Sequence, residues 1–137
     1  MAMRWSYCSL ATVTLAAACV TTTTRAFLPS PHNPRYTASM AEPVLAEYLR
    51  LQCEALRKAQ RPDSGTARFV IDVDSLGVAT RAELRHGTSD DLLDGVFGTV
   101  AAQLTFDRAP RARREPVAVQ YHCAGDSAHV VVRLSRQ

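Results

Sequence analysis

The chain has 137 residues, 47% apolar and 21% charged, a globular balance that excludes a disordered or fibrous protein. The formal charge is only +3 and the basic residues are scattered, so there is no basic stripe of the kind a dedicated nucleic-acid binder carries. Apolar runs are all shorter than the roughly 18 residues that a membrane-spanning helix needs.

The N-terminus reads as a targeting segment. Arg4 supplies a short positive region, and residues 10–20 (LATVTLAAACV) are an apolar run of the length found in secretory signal peptides. Ala16, Ala17 and Ala18 lead into Cys19, a pattern resembling a bacterial lipobox in which Cys19 becomes the lipid-modified first residue. Cleavage after Ala26, with small Thr24 two positions before it, is the alternative, and the two stay open. Four threonines (21–24) and Pro29, Pro31 and Pro34 follow with no helical or strand period. A Thr/Pro-rich stretch buries too little apolar area to offset its ordering entropy. The expected organisation is a signal peptide over 1–18, a flexible tether over 19–40 and one folded domain over 41–137.

Within that domain, Leu45, Leu49, Cys53 and Leu56 recur at helical spacing over 41–60, with Glu42 and Pro43 suited to a first turn and Arg57 and Lys58 to the last. Pro62 to Gly65 stop the helix. Ala67, Phe69, Ile71 and Val73 then alternate as one face of a strand, and the turn at 74–77 leads to a second strand. That strand directs Val78, Thr80, Ala82 and Leu84 inward and Arg81, Glu83 and Arg85 outward. A second helix spans roughly 89–104, started by Thr88 with Asp91 and weakened by Gly95 and Gly98, unless those glycines let its backbone approach the sheet. Val117, Val119, Tyr121 and Cys123 face inward on a third strand. Gly125-Asp126 is a hairpin turn, and Val130, Val132 and Leu134 face inward on the last strand. The turn sets Cys123 opposite Ala128, His122 opposite His129 and Tyr121 opposite Val130. The expected fold is α+β, in the order α-β-β-α-β-β: a four-stranded antiparallel sheet with both helices on one face.

Several landmarks carry a family resemblance. They are Ile71-Asp72, the turn to Gly77-Val78, Leu93-Asp94, Phe106 before Pro110, and the Val117/Val119/Tyr121 strand. Over residues 66–123 the chain resembles the C-terminal domain of TonB, including its small bacterial envelope relatives. The resemblance implies a periplasmic interaction module without catalysis, binding partner peptides by adding a strand to a sheet edge. Arg61-Pro62 stands near the place of the family's usual Tyr-Pro, and the chain lacks the long Pro-rich segment of an energy transducer. The expected role is therefore scaffold or assembly, for an unidentified envelope protein.

The candidate chemistry is sparse. With Cys8 removed and Cys19 lipidated or removed, Cys53 and Cys123 remain as an inward-facing pair in an exported chain, where a disulfide is favoured. His122 and His129 form an outward cross-strand pair, the weak metal candidate on which an alternative reading as a small metal- or ligand-binding secreted protein rests. Asp90, Asp91 and Asp94 read as helix-start groups. Arg108, Arg111, Arg113 and Arg114 read as a basic loop suited to anionic lipid or an acidic partner. The alternating charges of Arg81, Glu83 and Arg85 mark the expected partner edge, and equally suit edge protection. No catalytic constellation or cofactor motif is evident, so a non-enzymatic protein is expected, in the periplasm or at the outer membrane through a lipid on Cys19.

Overall fold

A computed structural model describes residues 24–134. The expected signal peptide and Cys19 lie outside these residues. The elements in chain order are β1 (Arg25–Phe27), α1 (Ala38–Lys58), β2 (Ser64–Val73), β3 (Ala79–His86), α2 (Asp91–Ala101), β4 (Arg113–Ala124) and β5 (Ser127–Leu134). They build a five-stranded antiparallel sheet in the order β1-β3-β2-β4-β5. The four-stranded α-β-β-α-β-β expectation is thus corrected: a fifth strand comes first, from residues that composition placed in the tether.

Both helices lie over the same face of the sheet. α1 buries Ala41, Leu45, Leu49, Cys53 and Leu56 and packs mainly on β5, while α2 buries Leu93, Phe97 and Ala101 over β1, β2 and β3. The inward strand residues are Ala67, Phe69, Ile71 and Val73 of β2, and Val117, Val119, Tyr121 and Cys123 of β4. Val130 and Val132 of β5 complete this face, and all join one core. The hairpin register is as expected, with Cys123 opposite Ala128, His122 opposite His129 and Tyr121 opposite Val130. Cys53 and Cys123 form a disulfide across 70 residues of chain, fastening the C-terminal half of α1 to β4, with Cα atoms 5.8 Å apart. Burial pushes the Tyr121 hydroxyl upward, aided by the nearby carboxylates of Asp90, Asp94 and Asp63.

Two local readings change. Between Asp72 and Val73 the pairing with β3 shifts, from Arg81 to Ala79, so Thr80 is the extra residue of a bulge. Thr80 is therefore exposed, its hydroxyl donating to the Asp72 carbonyl, and Ala79 takes the inward place expected for Thr80. At the start of α2 the cap is Asp90, which accepts from the Leu93 amide, rather than Thr88. The amide and hydroxyl of Thr88 both donate at 2.8 Å to Asp94, whose carboxylate is buried beneath the β3–α2 connection.

The fifth strand is held by side-chain packing and a polar clasp. Arg25, Ala26 and Phe27 pair with Leu84, Glu83 and Ala82. Phe27 meets Phe69 edge-on at 6.3 Å, and the Arg25 guanidinium stacks 5.1 Å from the Phe27 ring while donating to the Asp91 carbonyl. The following turn and prolines are fixed by Gln103, which is 1% exposed. Its Oε1 accepts from the Ser30 amide at 2.6 Å, and its Nε2 donates to the Asn33 and Pro34 carbonyls, both at 3.1 Å. Arg35 donates to the Ala79 and Ala102 carbonyls. The Tyr36 amide donates to the Gln103 carbonyl, and the Tyr36 carbonyl accepts from the Thr105 amide at 2.7 Å. Thr37 then caps α1 through the Met40 amide. The helix begins at Ala38, so Pro43 sits inside it rather than in its first turn.

Gly98 is what lets Phe27 reach α2, because a Cβ there would overlap the Phe27 ring. An exposed helical Gly→Ala change normally stabilises by about 1 kcal/mol, whereas overpacking costs about 1–3 kcal/mol. Gly98→Ala should therefore lower stability in urea unfolding. A gain in stability would show that β1 does not dock on α2.

Candidate interaction surface

With both helices on one side, the other side of the sheet faces solvent. Its residues follow from strand alternation and lie in rows across β3, β2, β4 and β5. Arg81, Asp72 and Arg114 form one row, and Glu83, Val70 and Pro116 the next. Arg68, Ala118 and Arg133 form a third, with Arg85 beside Arg68 at the second irregularity of β2–β3 pairing. Thr66, Gln120 and Val131, then Ser64, His122 and His129, complete the face.

Charge concentrates on this face. Arg68, Arg81, Arg85, Arg114 and Arg133 are opposed there by Asp72 and Glu83 alone, five positive against two negative, a local excess of +3. Over residues 24–134 the sequence holds 14 basic and 13 acidic residues, a net of +1, so the remainder of this region is acidic overall. Several arginines are engaged: Arg81 and Arg85 with Glu83 at 2.7 and 2.9 Å, Arg114 with Asp72 at 3.1 Å, and Arg133 with the Gln120 side chain. The hydrogen bond from Arg81 holds the Glu83 carboxyl below its usual range against the opposing effect of burial, with the charges of Arg85, Arg81 and Arg114 adding to it. Glu83 therefore remains ionised in mildly acidic solution. The Arg68 side chain makes no ion pair or hydrogen bond among the described residues and is exposed at the middle of the face. A shallow groove of about 500 Å³ runs over it, floored by Val70, Pro116 and Ala118 and bounded by Arg68, Arg85 and Arg133.

The expected partner edge is corrected by the same topology. Arg81, Glu83 and Arg85 lie on β3, which is an interior strand because β1 covers its outer side from Ala82 to Leu84. The three residues belong to the open face instead. Among the described residues, the edges of the sheet are β1, only three residues long, and β5. On β5 the Val132 amide is occupied by the Glu42 carboxylate of α1, at 2.8 Å. A carboxylate capping an edge amide blocks the ladder that an added strand would need. Sequence reasoning placed Glu42 in the first turn of the helix, but α1 starts at Ala38 and has no acidic residue in that turn; only the packing of α1 against β5 reveals the contact Glu42 makes.

The basic loop is also redistributed. Arg113 and Arg114 are part of β4. Arg113 is bonded to the Glu115 carboxylate and the Asp107 carbonyl, and Arg114 faces Asp72. Arg108 and Arg111 remain in the exposed loop. His122 and His129 are paired and exposed as expected, next to Ser64. Among the described residues, no third His, Cys, Asp or Glu joins them in a metal-holding group. Asp90, Asp91 and Asp94 all sit at the start of α2, with Asp90 capping and Asp94 serving Thr88.

No known family matches the chain, and neither the curated proteins nor the solved structures provide a match.

Glu42→Ala should free the Val132 amide. The expected outcome is a stability loss of about 1 kcal/mol, in the range of a hydrogen bond to a charged group discounted for partial exposure. It should be accompanied by faster hydrogen exchange at Val132 than in the parent chain. Unchanged exchange at Val132 would show that Glu42 does not close the edge.

Proposed function

We propose that this chain is a non-enzymatic, exported interaction module, acting in the cell envelope, whose partner docks on the open face of the sheet. The observation that carries the reading is the groove beside Arg68. A sheet face left uncovered by the described residues carries a net positive charge around an apolar floor, while the sheet edges are short or capped. The Cys53–Cys123 disulfide supports export, because such bonds form and persist in oxidising compartments. Anchoring through a lipid on Cys19 belongs to the same proposal. The partner is expected to be an envelope protein, and no cofactor takes part. The role expected from the TonB resemblance, a scaffold for partner proteins, is retained. Its mode becomes docking on a face rather than addition to an edge.

Photo-crosslinking in the native cells tests this. A crosslinking residue in place of Val70, on the groove floor, should capture a discrete partner. The same residue in place of Leu51, exposed on the outer side of α1, should not. Equal patterns from the two positions, or none from Val70, would remove the docking face.

A further inference from the structure

We infer that the groove over Ala118 binds a carboxylate-bearing, extended peptide segment of the partner. This deepens the docking reading above and rests on it. Arg68 and Arg133 lie in one row, separated by Ala118 on the intervening strand. Adjacent strands lie about 4.8 Å apart, so the two backbones stand about 10 Å apart. The alanine between them leaves a gap flanked by two guanidiniums. Guanidinium forks hold carboxylates bidentately, and the strength of each contact rises when an apolar surround excludes water. Val70 and Pro116, in the next row, supply that surround.

The choice of a peptide follows from what else shares the face. Asp72 and Glu83 interrupt the positive field in the two rows beside the arginine row. A continuous polyanion long enough to run out of the groove across these rows would meet both. Isolated carboxylates on a peptide can sit at the arginines and place apolar side chains on Val70 and Pro116. An anionic bilayer is a poorer fit, because the more exposed apolar residues Leu51 and Leu92, at 62% and 55%, lie on the helical side, against Val131 at 40% on this face. Arg68 is the principal contact: it is central, exposed and, among the described residues, without a side-chain partner, whereas Arg133 must release Gln120 to take part.

The test uses the full chain and a fluorescein-labelled peptide of alternating glutamate and valine, followed by anisotropy. Saturable binding is expected, weakening about tenfold in Arg68→Glu and several-fold in Arg133→Glu. Arg108→Glu, an equal change of charge in the loop, should leave it unaltered. Arg68→Gln should fall between the parent and Arg68→Glu, with an unchanged unfolding midpoint in each variant. A matching lysine–valine peptide should not bind. Equal weakening by Arg108→Glu would reduce the effect to net charge and overturn the inference. Absent binding, or a preference for phosphatidylglycerol vesicles over the peptide, would overturn it as well. The outcomes for the two readings separate in the cell: partner crosslinks from Val70 that persist in Arg68→Glu reject the acidic ligand and keep the docking face. Loss of all Val70 crosslinks in the otherwise unaltered chain rejects the face itself.

Discussion

Two helices cover one face of a five-stranded sheet, and among the described residues nothing packs on the other face. That asymmetry organises the rest of the molecule. It requires strands that alternate strictly, with apolar residues toward the helices and polar residues toward water. It makes the bulge at Thr80 necessary, because without the extra residue the inward and outward sets of β3 would exchange faces beyond that point. It also concentrates arginines on the solvated side, where guanidinium stems lie along the pleat and their heads reach water. A broad, partly apolar face backed by a disulfide-fastened core is then a consequence of the architecture, and it is the surface on which docking is proposed.

A one-sided sheet also has edges, and both are managed by residues early in the described region. On one side β1 closes β3 with three residues, held less by strand pairing than by Phe27 under α2 and by the Gln103 clasp on Ser30, Asn33 and Pro34. On the other side Glu42 occupies the Val132 amide. A buried glutamine satisfied at both ends is valuable because a lost partner would leave a desolvated amide behind. The prolines at 29, 31 and 34 suit this arrangement. They limit the freedom the segment loses on docking and contribute no unpaired N–H.

The strands and their pairing were largely legible because alternation is a strong signal and the Gly125-Asp126 turn pins the register from Cys123/Ala128 through Tyr121/Val130. The disulfide followed from the inward placement of Cys53 and Cys123. The first strand was not legible. Three residues, Arg-Ala-Phe, are too few to show a period, and what holds them and the turn after them lies about 60 to 75 positions away, at Leu84, Gly98 and Gln103. Composition read the surrounding threonines and prolines as spacer, and tertiary contacts overrode it between Arg25 and Tyr36. The same limit explains the candidate surface. The residues Arg81, Glu83 and Arg85 were identified as outward and charged, yet whether β3 was edge or interior depended on β1. In the sequence Arg68 is a single outward arginine; its place in the candidate surface arises from Ala118 and Arg133 on other strands.

The central claim is that residues 25–36 are a structural part of the domain, since β1 turns β3 into an interior strand and leaves the open face as the principal surface. Native-state hydrogen exchange of the full chain tests it at the Ser30 and Tyr36 amides, which donate to the Oε1 and the carbonyl of Gln103. The account predicts that both are protected, Tyr36 to nearly the level of the core amides of β2 and β4. Exchange of both at the rate of an unstructured peptide would contradict it.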